Sequence, residues 1–278
     1  MKLVFTSLKL AVLIYFLLSC KKEEVSSVPK VDYLSSACKL SSFFQLYNSR
    51  DTKISTKYNA QNQLTDFVAT ELIHYTSNLN RRLQYEGGQL KRVIIPYEDY
   101  PELSPTPIKN APVAEYEYGK YGVEKIHIYK PYEASFRPET EYFEFQYNDS
   151  VKPAGMNYYT NLGTTEDNFI LGLKSTFEYD SNGNLSKEII ENIGGLGGTH
   201  DSKTKMYFFD DKINTLKLLN YIYFNTQSPA FVLSTNNVVG VKEISPLGEY
   251  ERTYKPVYDN NNNAIWAIQF SKVVWDCQ

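Results

Sequence analysis

A tyrosine placed just ahead of a polar turn recurs along this chain at nearly constant spacing, and that recurrence constrains the fold more than any other feature. The fullest copy runs Phe177-Glu178-Tyr179-Asp180-Ser181-Asn182-Gly183-Asn184-Leu185, followed by Ser186-Lys187-Glu188-Ile189. Aromatic and polar residues alternate up to Asp180, Asn182-Gly183 supplies the positive φ that a tight hairpin turn demands, and alternation resumes at Leu185. Two antiparallel strands are predicted. Related units stand at Tyr58-Asn59 before Asn62-Gln63-Leu64, at Tyr85-Glu86-Gly87-Gly88 before Leu90, and at Tyr118-Gly119 before Gly122-Val123. More degenerate ones stand at Tyr147-Asn148-Asp149, Phe209-Asp210-Asp211 and Tyr258-Asp259-Asn260. Successive markers lie 27, 33, 29, 32, 30 and 49 residues apart. About thirty residues hold two long strands and two connections, so the pattern predicts an all-β or β-dominated domain. The expected architecture is a large antiparallel meander of hairpin units forming a curved sheet or partly closed barrel. Tyr and Phe should line its inner face, with Lys, Glu and Thr outside. The long final interval, Asn220 to Lys255, must hold an additional hairpin or excursion, with Asn225, Pro229 and Asn236-Asn237 as its turn signals.

The first residues read as a targeting segment rather than as part of the fold. Lys2 and Lys9 precede an unbroken apolar run from Leu10 to Leu18, which is too short to span a bilayer but has the layout of an export signal. The run ends in Leu17-Leu18-Ser19-Cys20, a string that resembles the lipobox of bacterial lipoproteins. That resemblance implies removal of residues 1–19 as a signal peptide and acylation of Cys20, by palmitate or a similar chain. Each buried CH₂ contributes about 0.8 kcal/mol, so several chains on one cysteine give stable membrane attachment. Lys21-Lys22-Glu23-Glu24 then resembles the surface-export signal of Bacteroidota lipoproteins. Residues 20–40 are expected to be the lipidated N-terminus and tether, and 41–278 a single β-repeat domain.

Past the signal the chain carries 23 Tyr and 19 Leu, an inversion that favours strands. With Cys20 assigned to lipid, Cys38 and Cys277 remain as a disulfide candidate in an oxidising compartment, bridged only if their Cα atoms come within about 7 Å. The lipobox, the tether and the spaced Tyr-Asp-x-x-Gly-Asn-Leu units together resemble a Bacteroidota lipoprotein family of unknown function with a porin-like β fold. The hairpin unit is also similar to the Tyr-Asp repeats of large bacterial cell-surface proteins. Neither resemblance implies a catalytic residue. A transmembrane barrel is disfavoured, because segments such as Glu115-Tyr116-Glu117-Tyr118 and Lys203-Thr204-Lys205-Met206 carry polar groups on both faces.

The remaining chemistry is sparse. Lys+Arg 29 against Asp+Glu 32 gives a net charge of -3, without the basic surplus that nucleic acid requires. No Gly-x-Ser-x-Gly, His-Glu-x-x-His, Cys-x-x-Cys or phosphate-binding Gly-Lys-Ser/Thr motif occurs, so no cofactor, metal or catalytic site is expected. Gly194-Gly195-Leu196-Gly197-Gly198 reads as a flexible connection. Asp180, Asn182, Asn184 and Glu191 mimic calcium-loop ligands, but Leu185 occupies the position that needs Gly, and a hairpin turn explains the same residues. His74 and His127 sit in strand-like contexts and His200 in the Gly-rich connection, none with a second His nearby. Glu98, Asp99 and Glu102 fall in or beside a loop between Pro96 and Pro112 that holds five prolines with Tyr97 and Tyr100.

These readings converge on a non-enzymatic, outer-membrane-anchored lipoprotein facing the cell exterior. Its aromatic-rich sheet would serve binding or envelope structure, with a glycan as the first ligand to consider and a protein as another. The competing expectation is a periplasm-facing carrier or assembly factor holding an apolar ligand in the sheet concavity, which an uninterrupted apolar cavity would favour. A carbohydrate-active enzyme would need two converging carboxylates, which one sequence does not identify.

Overall fold

A computed structural model of the chain describes residues 38–47, 50–69, 80–96, 111–129, 140–161, 168–193, 201–217, 222, 226, 229–266 and 270–277. The alternating segments form strands in the order β1 (Cys38–Tyr47), β2 (Arg50–Tyr58), β3 (Leu64–Ala69), β4 (Arg81–Glu86), β5 (Gln89–Ile95) and β6 (Ala111–Tyr118). They continue with β7 (Val123–Ile128), β8 (Glu141–Tyr147), β9 (Pro153–Asn161), β10 (Phe169–Tyr179), β11 (Leu185–Asn192) and β12 (Ser202–Ile213). A short helix α1 (Pro229–Leu233) precedes β13 (Asn236–Ser245) and β14 (Gly248–Thr253), and β15 (Val257–Tyr258), β16 (Ala264–Trp266) and β17 (Phe270–Cys277) complete the chain. The first strand already begins at Cys38, so Cys38 to Leu40 belong to the sheet rather than to a tether ending at 40.

Fourteen of these strands pair with their sequence neighbours from β1 to β14, and β17 returns to pair antiparallel with β1, giving one sheet of 15 strands. β14 and β17 end the hydrogen-bonded order, so among the described strands the sheet is an open meander and not a closed barrel. Open twisted sheets beyond ~10 strands curl. Curling lets one face cover itself, and the core has that composition. Phe43, Ile54, Phe67, Val93 and Ile126 are fully buried, and one apolar cluster runs from β1 to β13, joining Ala230 and Val232 of α1 with Val273 of β17. Burial of each such side chain is worth about 1.5–3 kcal/mol.

The recurring tyrosine has a structural reason. At Tyr58, Tyr85, Tyr118, Tyr147, Tyr179 and Tyr258 the register of the hairpin shifts by one residue, so each sits at a bulge immediately before its turn. A bulge re-aims the side chain. The ring packs against the core, and the hydroxyl reaches back to an earlier strand: Tyr118 donates to the Leu90 carbonyl at 2.8 Å, Tyr147 to Val123 at 2.9 Å and Tyr179 to Pro153 at 3.0 Å. Leu90, Val123 and Pro153 are the residues paired with Tyr85, Tyr118 and Tyr147, so each hairpin is docked on the one before it.

Three of the turns share one construction. Asp180 Oδ1 accepts from the Asn182 and Asn184 amides, as Asp259 does from Asn261 and Asn263 and Asn59 from Gln61 and Gln63. The loop runs from Asp180 to Asn184, with Gly183 alone of the Asn182-Gly183 pair at positive φ (87°). This is a five-residue side-chain-capped loop that joins the two expected strands, with the positive φ supplied by Gly183 and not by Asn182. A second departure concerns Phe209-Asp210-Asp211, which is no turn. β12 runs on to Ile213, because Asp210 accepts from the Lys212 amide at 3.0 Å and from the Tyr258 hydroxyl within an irregular stretch of ladder. Tyr258 in turn heads the separate two-stranded sheet β15–β16. The long final interval holds both α1 and the β13–β14 hairpin.

Candidate functional site

Ladder pairing places side chains in rows across the sheet, because residues directly opposite share a face. The core face carries Tyr116, Ile126, Phe143 and Tyr158 in one row. On the opposite, outer face the row runs Gln84, Arg92, Glu115, His127, Tyr142, Tyr159 and Leu171, one residue per strand from β4 to β10. A parallel row holds Glu117, Lys125, Glu144, Asn157, Lys174 and Glu191.

At the β8–β10 end the first row is a stacked aromatic surface. The Tyr142 and Tyr159 rings lie 4.4 Å apart at 14°, Phe169 meets Tyr142 edge-on at 5.0 Å, and the His127 ring centre is 6.1 Å from Tyr142. Lys125 Nζ stands 5.3 Å from the Tyr142 ring centre. At the β4–β7 end the same row borders an open groove of about 550 Å³ lined by Gln84, Arg92, Glu115, Glu117 and His127 among others. The polar groups along the face are paired locally. Arg92 pairs with Glu115, His127 Nε2 lies 2.8 Å from Glu117, and Lys125 lies 3.8 Å from Glu144. The Tyr159 hydroxyl donates to Glu144 at 3.5 Å, and burial together with the Glu144 charge raises its pKa.

Asn157 is the exception to this satisfaction. The residue is 8% exposed, and its side-chain oxygen Oδ1 has no hydrogen-bond partner among the described residues. A buried acceptor left unpaired costs about 1–3 kcal/mol.

The core face holds a second polar group. Glu188 is fully buried and accepts from Ser175 Oγ at 2.8 Å and from the Tyr207 hydroxyl at 2.7 Å, with Lys205 Nζ at 4.0 Å. Burial lowers the Lys205 pKa although Glu188 opposes the shift, and burial with the Glu188 charge drives the Tyr207 phenol well above its ordinary value. This corrects the expected division of faces. Lys205 and Glu188 face the core, while Met206 and Phe208 of the same β12 face solvent and Tyr142 and Tyr159 line the outer row. The Glu188 ladder position opposite both Phe177 and Lys205 fixes the side to which β12 turns.

Other residues singled out by sequence are placed as follows. Cys38 and Cys277 stand opposite each other in the β1–β17 ladder, with Cα atoms 3.9 Å apart and their sulfurs bonded. His127 lies in the outer row. Asp180, Asn182 and Asn184 form the capped loop, while Glu191 stands opposite Lys174 on the outer face, so the four do not converge. Among the described residues no cluster of His, Cys, Asp and Glu could hold a metal ion. Cys20, the tether residues Lys22, Glu23 and Glu24, His74, Glu98, Asp99, Glu102, the glycine run at 194–198 and His200 lie outside the described residues. Among the described residues no helix is long and apolar enough to cross a membrane.

No protein-family profile and no curated protein matches this sequence. Solved structures do. A porin-like protein from Bacteroides vulgatus ATCC 8482 superimposes with a TM-score of 0.51 at 12% identity, over 81% of this chain and 90% of that one. A chain of the TcdB2-TccC3-Cdc42 structure aligns at a TM-score of 0.24 and 14% identity, over 78% of this chain and 10% of that one. The first likeness shows that the two share a fold.

Proposed function

We propose that the protein is an outer-membrane-anchored lipoprotein, held by lipid on Cys20 and facing the cell exterior, that binds a glycan on the outer face of its sheet without catalysing a reaction on it. The observation that carries the binding reading is the row from Gln84 to Leu171, where hydrogen-bonding residues pass into the stacked rings of Tyr142 and Tyr159. Aromatic faces offer apolar area while their rims stay wet, which suits a ligand with apolar ring faces and polar edges. The anchoring half of the reading rests on the Leu17-Leu18-Ser19-Cys20 string and Lys22-Glu23-Glu24. The porin-like fold of the Bacteroides protein agrees with an envelope setting. A carrier holding an apolar ligand against the core face is less well supported, because that face is filled by its own side chains, Phe43, Phe67, Ile126 and Phe143 among them.

Protease treatment of intact cells bearing epitope-tagged protein tests the location. Wild type is expected to be digested, and a variant with Lys22→Ala, Glu23→Ala and Glu24→Ala to be protected until lysis. Protection of wild type on intact cells, with digestion after lysis, would show that the protein faces inward.

A further inference from the structure

The outer face carries more than a generic aromatic surface. Its row rises from strand to strand at about 4.8 Å, so the five positions Arg92, Glu115, His127, Tyr142 and Tyr159 span roughly 19 Å perpendicular to the strands. That step is comparable with the length of one sugar ring. The face presents many donors and acceptors but little net field, since Arg92 pairs with Glu115 and Lys125 lies 3.8 Å from Glu144. An anionic or cationic polymer would gain nothing from it that these pairs do not already supply. Beside the stacked pair stands Asn157, nine-tenths buried, with an acceptor oxygen that no donor in the described fold satisfies. Its ladder partner on β10 is Lys174, an exposed residue.

We propose that the outer face of β5 to β9 binds an uncharged, extended glycan lying across the strands, with sugar rings packed along the outward edge of the Tyr142–Tyr159 stack and one sugar hydroxyl donated to Asn157 Oδ1. This rests on the reading of the protein as a glycan-binding protein and adds the charge class, the direction of the chain and the residue that anchors it. The orphaned acceptor gives the site its selectivity. A ligand hydroxyl that pairs it recovers a hydrogen bond the free protein lacks, and a surface offering only apolar contact does not.

Affinity electrophoresis of the full chain, purified in detergent, tests the proposal on gels containing barley β-glucan, xylan or galactomannan as neutral probes and polygalacturonate or heparin as charged ones. At least one neutral polysaccharide should retard the protein. Tyr159→Ala and Asn157→Leu should each weaken that retardation about tenfold, and Tyr159→Phe should keep most of it. Thermal melting of each variant runs in parallel. Asn157→Leu removes the unsatisfied buried acceptor at similar volume together with the Asn157–Tyr159 side-chain bond, so it should melt near the wild-type temperature and carries the test if Tyr159→Ala does not fold. Retardation by a neutral polysaccharide that both variants retain in full overturns this site while leaving glycan binding intact. Retardation by the charged probes alone overturns the charge class. No retardation by any probe overturns both the proposal and the glycan reading, whereas the protease result on location stands separately.

Discussion

Four of the marker tyrosines, Tyr58, Tyr118, Tyr147 and Tyr179, each do two things that no other side chain combines. The ring fills the gap a bulge opens at the end of a hairpin, and the hydroxyl satisfies a carbonyl of an earlier strand. Only the neutral phenol can donate that bond. Burial, the largest cause, pushes Tyr58 and Tyr158 up to about 12 and holds Tyr85, Tyr116, Tyr147 and Tyr179 higher still. In the unfolded chain tyrosine ionises near pH ~10. The unfolded state therefore loses these protons first, so the stability they contribute is complete below pH ~10 and disappears as pH rises from there through the folded values. In an alkaline titration the phenolate absorbance of these six is expected to appear together with the loss of the β-sheet circular dichroism. A full phenolate signal with the sheet signal intact would contradict it.

Among the elements, β11 and β12 form the one described strand pair that places a charged ladder inside the core. Glu188 faces Lys205 across it and takes hydroxyl bonds from both neighbouring sides, from Ser175 on β10 and Tyr207 on β12. Buried charges add little net stability when paired and cost much when one partner is removed. Glu188→Ala would leave Lys205, Ser175 and Tyr207 buried without their acceptor, and a loss of about 3–5 kcal/mol in urea unfolding is expected. Glu188→Gln keeps an acceptor and should lose less. Equal, small effects of both would mean that the core face does not hold β12 in register through this group. The pattern explains why β12 misleads a reader of the sequence. Its apolar Met206 and Phe208 point to solvent, because the partner strands supply acidic neighbours, Glu188 and Glu243, to Lys205 and an apolar one, Val241, to Tyr207.

At the scale of the molecule the fold is a long meander whose ends are brought together. Local hairpins are joined step by step, but the pairing of β1 with β17 must be made between the first and last strands of the described fold, and the Cys38–Cys277 bond spans a sequence separation of 239. Constraining so long a loop in the unfolded chain stabilises the fold by up to about 5 kcal/mol on chain entropy alone. A Cys38→Ser, Cys277→Ser double variant is expected to keep its β-sheet spectrum while its denaturation midpoint falls, matching wild type under reducing conditions. An unchanged midpoint would show that the β1–β17 ladder closes the sheet without help from the bond.

The sequence by itself determined the all-β class, the antiparallel meander and the places of most turns. It could do so because a hairpin is a local object. Period-two alternation, a bulge tyrosine and an Asx-capped loop all act within about ten residues, as at Tyr179 to Leu185. It did not determine that Phe209-Asp210 continues a strand, because the hydroxyl that occupies Asp210 comes from Tyr258, 48 residues away. Nor did it determine the two faces. His127, Tyr142, Asn157 and Tyr159 stand on three strands, and only their ladder register aligns them into one surface with an unpaired acceptor beside a stacked pair. Register across many strands is set jointly by bulges and by what each partner strand buries, and that information is nonlocal, so the candidate site could be read only from the tertiary structure.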